Sequence, residues 1–283
     1  MIRLRLVLFL PFSAAWGTAG TAAFVALLAP KDDKKLYIPP VGSLINKTIL
    51  ITGASSGLGL ESAKRLAVGG ANLILTARYD TKGTNALQAV QDYVRANDVE
   101  YPSQQITYKL LDLDDLDSIR TATDLWSDIG TVDVVLNNAG IMAVPELELT
   151  VNNIERQMQS NHLGHFLLTN LLSTKLSEKA RIINVSSEAH KFANTFDFDY
   201  MWNPSSDYEA WKSYGHSKLA NIYFTQELQR RIDANNLQWT TCTLHPGVVA
   251  TDLGRYVMGQ ENWENFKKGG GGFLQNIAMQ VAA

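Results

Sequence analysis

The chain has 283 residues, a formal net charge of −3 and one cysteine, Cys242. Without a dense basic cluster it lacks the footprint of a nucleic-acid binder, and a small-molecule partner fits better. One cysteine excludes an internal disulfide framework and lacks the spaced companions of a zinc site, which leaves Cys242 as a buried small apolar residue.

After Arg3 and Arg5, residues 6–30 carry no charge, and Lys31, Asp32, Asp33, Lys34 and Lys35 close the stretch. A run of that length can span a bilayer. Pro11, Gly17 and Gly20 weaken it as a helix, and Ala19 suits a cleavage site, so residues 1–36 read as a hydrophobic anchor or a signal segment. The anchor gives a membrane-associated protein; cleavage gives a secretory or organellar one.

The apolar run Ile49, Leu50, Ile51 predicts a strand that meets Thr52, Gly53, Ala54, Ser55, Ser56, Gly57, Leu58 and Gly59. A strand, a glycine-rich turn and a helix make a phosphate cradle. Gly53 allows the tight turn, Gly57 lets backbone approach a pyrophosphate, and Gly59 lets the helix pack on the sheet. The N–H groups of Ser55, Ser56, Gly57 and Leu58, at the positive end of the helix, face the phosphates.

Residues 58–68 form that helix, stopped by Gly69 and Gly70. Residues 72–77 predict a second strand ending at Arg78, where an acid would bind a ribose 2′-hydroxyl. A guanidinium there holds a 2′-phosphate instead, so NADP is expected over NAD, with Asp80 nearby as the opposing sign.

Residues 84–95 read as helix and 105–111 as a third strand ending in Asp112 and Leu113. Asp114, Asp115 and Asp117 favour the first turn of the next helix. Residues 132–136 predict a strand leading into Asn137, Asn138, Ala139 and Gly140. Residues 155–172 read as one long helix containing Asn161, His162 and His165, and without a carboxylate or cysteine beside them the histidines are packing residues, so no metal is expected.

Residues 180–185 predict a fifth strand ending in Ser186 and Ser187. Tyr214 and Lys218 are four apart, hence on one helix face, where an ammonium stabilises a phenolate. With the charge of an oxidised nicotinamide, Lys218 brings the phenol down from its usual value near 10. Residues 239–244 predict a last strand before Pro246, Gly247, Val248 and Thr251. Strands alternating with helices make residues 45–283 one α/β domain with a doubly wound parallel sheet.

In this order, the Thr-Gly cradle, Asn-Asn-Ala-Gly, the serine pair, Tyr-x-x-x-Lys and the Pro-Gly loop resemble the short-chain dehydrogenase/reductase family over about residues 48–251. The resemblance implies a Rossmann-type fold and an NADP-dependent oxidoreductase interconverting an alcohol and a carbonyl. It implies that Tyr214 exchanges the proton, that Ser187 rather than Ser186 holds the substrate oxygen, and that Asn161 bends its helix and completes a water relay to Lys218. It puts Asp112 and Leu113 beside the adenine and gives Asn138 a bond to backbone or ribose. Ala139 belongs to the same motif, and Gly140 leaves room for the cofactor. Pro246, Gly247 and Val248 pack the nicotinamide, and Thr251 reaches its carboxamide or a phosphate.

Residues 188–213 form a segment longer than many family members carry, crowded with Phe192, Phe196, Phe198, Tyr200, Met201, Trp202, Tyr208 and Trp211. This segment, with the runs around Asn161 and Lys218, resembles the retinol dehydrogenase branch. It implies a bulky apolar alcohol or carbonyl, retinoid-, steroid- or lipid-like, drawn from a membrane, with the endoplasmic reticulum as location; the same aromatics equally serve to pack the segment on the core. Self-association into a homo-oligomer is compatible with this reading. The C-terminus departs from the family: after Lys267, Lys268 and glycines 269–272, too little chain follows for a helix and strand. Six strands are therefore expected, with the seventh absent. The other reading is a membrane-tethered NADP-binding redox sensor or scaffold without turnover, against which Ser187, Tyr214 and Lys218 stand intact.

Overall fold

A computed structural model of the chain describes residues 38–193, 197–202, 208–247 and 252–254. The apolar segment 1–36, Phe196, Val248, Thr251 and the tail from 255 lie outside the described residues, as do the side chains of Met201 and Trp202. The expectation of a missing seventh strand falls on that tail.

Six strands are described: β1 Thr48–Ile51, β2 Asn72–Ala77, β3 Ile106–Leu110, β4 Val132–Asn137, β5 Leu176–Val185 and β6 Thr240–Leu244. They form one parallel sheet in the order β3-β2-β1-β4-β5-β6. The order reverses between β1 and β4, and beyond the carboxyl ends of strands at such a reversal is where doubly wound sheets bind ligands.

Helix α1 spans Gly57–Val68, α2 Asp80–Ala96 and α3 Leu116–Leu125. Helix α4 is built of Arg156–Met158, a π-helical turn Gln159–Leu163, and Gly164–Leu171. A short α5 spans Phe198–Trp202, and α6 runs over Ala210–Ala234.

Strand residues alternate between faces, so β1 feeds two cores. Ile49 and Ile51, with Leu73 and Leu75, pack against Ala63, Leu66, Ala86 and Val90 of α1 and α2. Leu50 and Ile74, with Val132 and Val135, pack against Ile119 of α3 and Leu168 of α4. Each fully buried leucine or isoleucine contributes about 1.5–3 kcal/mol.

Three local expectations are corrected. Helix α2 begins at Asp80, well before residue 84, because Gly83 does not interrupt it: a Cβ there would stand 2.2 Å from the Tyr108 ring, so the missing side chain is what lets that ring lie on the helix. Strand β5 begins at Leu176, where it pairs with Val132 beyond a register shift. Cys242 is exposed rather than buried, because its strand β6 is flanked only by β5 among the described residues.

Candidate active site

The glycine turn joins β1 to α1 with Gly53 at φ +64° and Gly57 at φ +55°, backbone that side-chain-bearing residues rarely adopt. A Cβ at Gly53 would stand 2.8 Å from the Ala139 Cα, and one at Gly59 2.5 Å from the Gly53 carbonyl oxygen and 2.7 Å from the Asn138 amide. Gly59 therefore closes the helix onto the turn and the β4 loop. Ser55, Ser56, Gly57 and Leu58 are half-buried along this turn. The side chain of Ser56, the N-cap of α1, makes no capping hydrogen bond, so the first-turn N–H groups keep their capacity for an anion. These residues fit a diphosphate.

The crevice floor is locked by Thr52, which sequence reading passed over. Its hydroxyl accepts the N–H groups of Asn138 and Ala139 at 2.9 and 3.0 Å and meets His165 Nε2 at 2.8 Å. The Asn138 amide donates to the Thr52 carbonyl at 2.9 Å, so this side chain is committed to backbone. His165 Nδ1 lies 3.0 Å from the Asn161 carbonyl and donates to it, which leaves Nε2 to accept from Thr52. Burial holds His165 down at about 3, neutral at ordinary pH, with a smaller push from Lys218 in the same direction. His162 sits against Asn221 and the Phe224 ring.

At the end of β2, Arg78 is one-third exposed and its guanidinium meets Asp114 Oδ2 at 3.3 Å. Asp112 turns inward on its own loop and accepts the Asp114 N–H at 3.0 Å. Leu113 is buried over Gly164, where a Cβ would stand 3.0 Å from its own. Of the acids expected in the first turn of α3, Asp115 is the cap, accepting from Asp117 and Ser118. Asp114 is instead a tie to α4, bonded to the Arg156 Nε at 2.9 Å and to the Ser160 hydroxyl.

Beyond β4 and β5 the remaining groups converge. Tyr214 and Lys218 lie buried on α6, with the ammonium 5.7 Å from the centroid of the phenol ring. The Ser187 hydroxyl lies close enough to the phenol to lower its pKa. Ser186 is occupied elsewhere, donating to the Lys218 carbonyl at 2.8 Å, so of the pair Ser187 faces the tyrosine. The Lys218 ammonium donates to the Val185 carbonyl at 3.1 Å.

Asn161 lies in the π-helical turn of α4 and is fully buried. Its amide accepts the Ile141 N–H at 2.8 Å and donates to the Ile141 carbonyl and the Ser217 hydroxyl, each at 2.9 Å. A Cβ at Gly140 would stand 3.0 Å from the Asn161 Oδ1 and 3.4 Å from the Lys218 ammonium, so the missing side chain leaves room for both against the backbone. The Asn161 carbonyl accepts from Asn221, at 3.1 Å, as well as from His165. Asn221 also donates to the Val185 carbonyl at 3.2 Å, tying α4, α6 and β5 together. Its signal was only its spacing, one turn past Lys218.

Burial pushes the Tyr214 phenol up to about 12, against the lowering by Ser187. Burial likewise pulls Lys218 down to about 8. In the protein alone desolvation outweighs the lowering by Ser187 and the phenol stands above its usual value, whereas the lowering expected from the sequence belongs to the site with an oxidised nicotinamide bound. Pro246 and Gly247, the latter at φ +77°, follow β6.

A glycine-rich turn that fits a diphosphate at the sheet's reversal point, with a tyrosine, lysine and serine cluster beyond β4 and β5, is the arrangement of a dinucleotide-dependent oxidoreductase. The family model of short chain dehydrogenases matches residues 47–201, and the chain belongs to the short-chain dehydrogenase/reductase family. It is similar to human retinol dehydrogenase 13, 38% identical over 250 residues covering 87% of this chain and 71% of that protein. Human retinol dehydrogenase 11 is 40% identical over 216 residues, covering 75% and 64%.

Among solved structures, an uncharacterized protein from Mycobacterium paratuberculosis aligns with a TM-score of 0.63 and 40% identity, covering 74% of this chain and 70% of that one. A short chain dehydrogenase from Burkholderia cenocepacia J2315 in complex with NADP aligns at 0.58 and 28% identity, covering 75% and 78%. One from Burkholderia phymatum in complex with NAD shares the fold, at 0.58 and 21% identity, covering 77% and 71%.

Proposed function

We propose that this protein is an NADP-preferring oxidoreductase that interconverts a bulky apolar alcohol and its carbonyl. The observation that carries the reading is the buried phenol of Tyr214, beside the Ser187 hydroxyl and with the Lys218 ammonium 5.7 Å from its ring centroid. A protonated phenol is the form that delivers a proton to a carbonyl oxygen. Ser187 holds that oxygen, Lys218 stabilises the phenolate left behind, and Asn161 fixes the backbone around both.

The turn from Gly53 to Gly59 and Arg78 would hold the diphosphate and the ribose 2′-phosphate, with Asp112, Leu113, Asn138, Ala139 and Gly140 along the adenosine side. Pro246, Gly247, Val248 and Thr251 belong to the nicotinamide side. When bound, the nicotinamide exchanges a hydride with the substrate carbon.

The names of the two human relatives support an apolar alcohol. So do Phe192 and Trp211, which are 47% and 37% exposed and lead inward to Tyr214. Residues 1–36 serve as a membrane-targeting segment in this reading; among the described residues no helix is long and apolar enough to cross a membrane.

The test is nicotinamide oxidation followed by absorbance with retinal, a steroid ketone, a long aldehyde and acetoin, using NADPH and NADH in turn. Faster turnover of the apolar carbonyls with NADPH is expected. Turnover confined to acetoin overturns the substrate class, and equal or better use of NADH overturns the cofactor preference.

A further inference from the structure

Asp114 stands between two guanidinium groups. Its Oδ2 accepts from Arg156 Nε at 2.9 Å and from Arg78 Nη1 at 3.3 Å, while its Oδ1 accepts the Ser160 hydroxyl. Arg156 is held a second time by Glu148, on the chain leading into α4. The Arg78 bond is the longest of these, and its side chain is 33% exposed against 23% for Arg156. It is therefore the one that gives way first. Asp114 keeps Arg156 and Ser160 when Arg78 leaves, so the carboxylate is never stranded.

An acid at the end of β2 is what would favour a ribose hydroxyl over a ribose phosphate. This chain has none at Arg78, yet an acid reaches the same guanidinium from the β3–α3 turn. We infer that Asp114 weakens the NADP preference by competing with the ribose 2′-phosphate for Arg78. The inference rests on the reading of Arg78 as the 2′-phosphate residue.

The physical reason is an exchange of partners. A dianionic phosphate arriving at Arg78 must displace one carboxylate contact and then lie near that carboxylate, a like charge. Arg156 offsets part of the repulsion by staying on Asp114. A ribose hydroxyl carries no charge and requires no such exchange. The carboxylate therefore acts against one cofactor only.

Isothermal titration of the full chain with 2′,5′-ADP and with 5′-AMP tests this without turnover. Asp114→Asn is expected to tighten 2′,5′-ADP about two- to fivefold, the range for one partly exposed charge pair, and to leave 5′-AMP unchanged. An unchanged or smaller ratio overturns the inference, and so does equal weakening of both ligands, which would make Asp114 merely structural. Asp114→Ser carries the same expectation and serves if the asparagine variant does not fold. Ser160→Ala removes a different bond to the same carboxylate and is expected to leave the ratio where it was; a shift like that of Asp114→Asn would also overturn the inference. Arg78→Ala separates the two readings. If the wild type does not prefer 2′,5′-ADP, or Arg78→Ala keeps that preference, the NADP reading itself fails and takes the inference with it.

Discussion

The Lys218 ammonium lies 5.7 Å from the centroid of the Tyr214 ring, and both side chains are buried on the same face of α6. Burial disfavours the charged form of each, so the amine falls from 10.5 to about 8 and the phenol rises from 10.0 to about 12. Between about pH 8 and 10.5 the unfolded chain binds the lysine proton and the folded chain does not, so this group makes stability rise with pH. Below pH 8 the cost of burying the ammonium is fully present. Tyr214 acts oppositely, but only between 10 and 12. Lys218→Met should therefore be more stable than wild type at pH 7, with the gap narrowing toward pH 10. Urea midpoints across that range measure it, and a gap independent of pH would contradict the argument.

Tyr214→Phe keeps the ring and removes only the hydroxyl that Ser187 meets. Turnover should fall by about 10²–10⁴, the usual worth of a positioned proton donor. Binding of NADPH, followed by nicotinamide fluorescence, should stay within about twofold because the cradle is untouched. Carbonyl reduction at the wild-type rate would show that the proton comes from elsewhere; a cellular function left intact while reduction is abolished would favour a redox-sensing or scaffolding role.

Asn161→Ala should destabilise more than its size suggests. The side chain satisfies both the N–H and the carbonyl of Ile141 and bonds Ser217, all inside the protein. Leaving buried groups unpaired costs about 1–3 kcal/mol each, so a loss on the order of 3 kcal/mol is expected in chemical denaturation. A loss below 1 kcal/mol would mean that water replaces the amide.

The elements that were legible in the sequence are those whose cause is local. The cradle declares itself because Gly53 and Gly57 need positive φ, and β2 because its apolar run ends at Arg78. Tyr214 and Lys218 declare themselves by helical spacing. The irregular turn at Asn161 was expected from the family resemblance and not from the periodicity of residues 155–172, because the Asn161 side chain is tied by two bonds to Ile141, distant in sequence. The role of Asp114 was hidden for the same reason: beside Asp115 and Asp117 it looks like a helix-start acid, and only the fold brings Arg156 to it. The phenol's upward shift was missed because spacing reports the neighbouring charge and says nothing of burial.

Gly83 gives a prediction with a change of sign. In α2 alanine is favoured over glycine by about 1 kcal/mol. A Cβ at this position, however, would stand 2.2 Å from the Tyr108 ring, whose hydroxyl donates to Asp80 at 2.7 Å and holds it there. Gly83→Ala should therefore destabilise by about 1–3 kcal/mol. In a Tyr108→Ala background the same substitution should stabilise. A double-mutant cycle by thermal or urea unfolding tests this, and the same sign in both backgrounds would remove the ring as the cause.

Trp211 separates substrate contact from packing. Its ring meets Phe192 at 6.0 Å and Tyr214 at 6.0 Å, edge to face in both cases, forming an aromatic run from solvent to the buried phenol. Phe192 is held by close packing, since a Cβ at Gly215 would stand 3.3 Å from its own. If a long apolar substrate lies along this run, Trp211→Ala removes contact area worth about 1.5–3 kcal/mol, which raises KM for retinal by about tenfold or more. A short aldehyde reaches Tyr214 without touching that wall, and its kcat/KM should stay within about twofold. Equal losses for both substrates would mean that Trp211 only supports Tyr214, and the apolar entrance would have to be sought on another face.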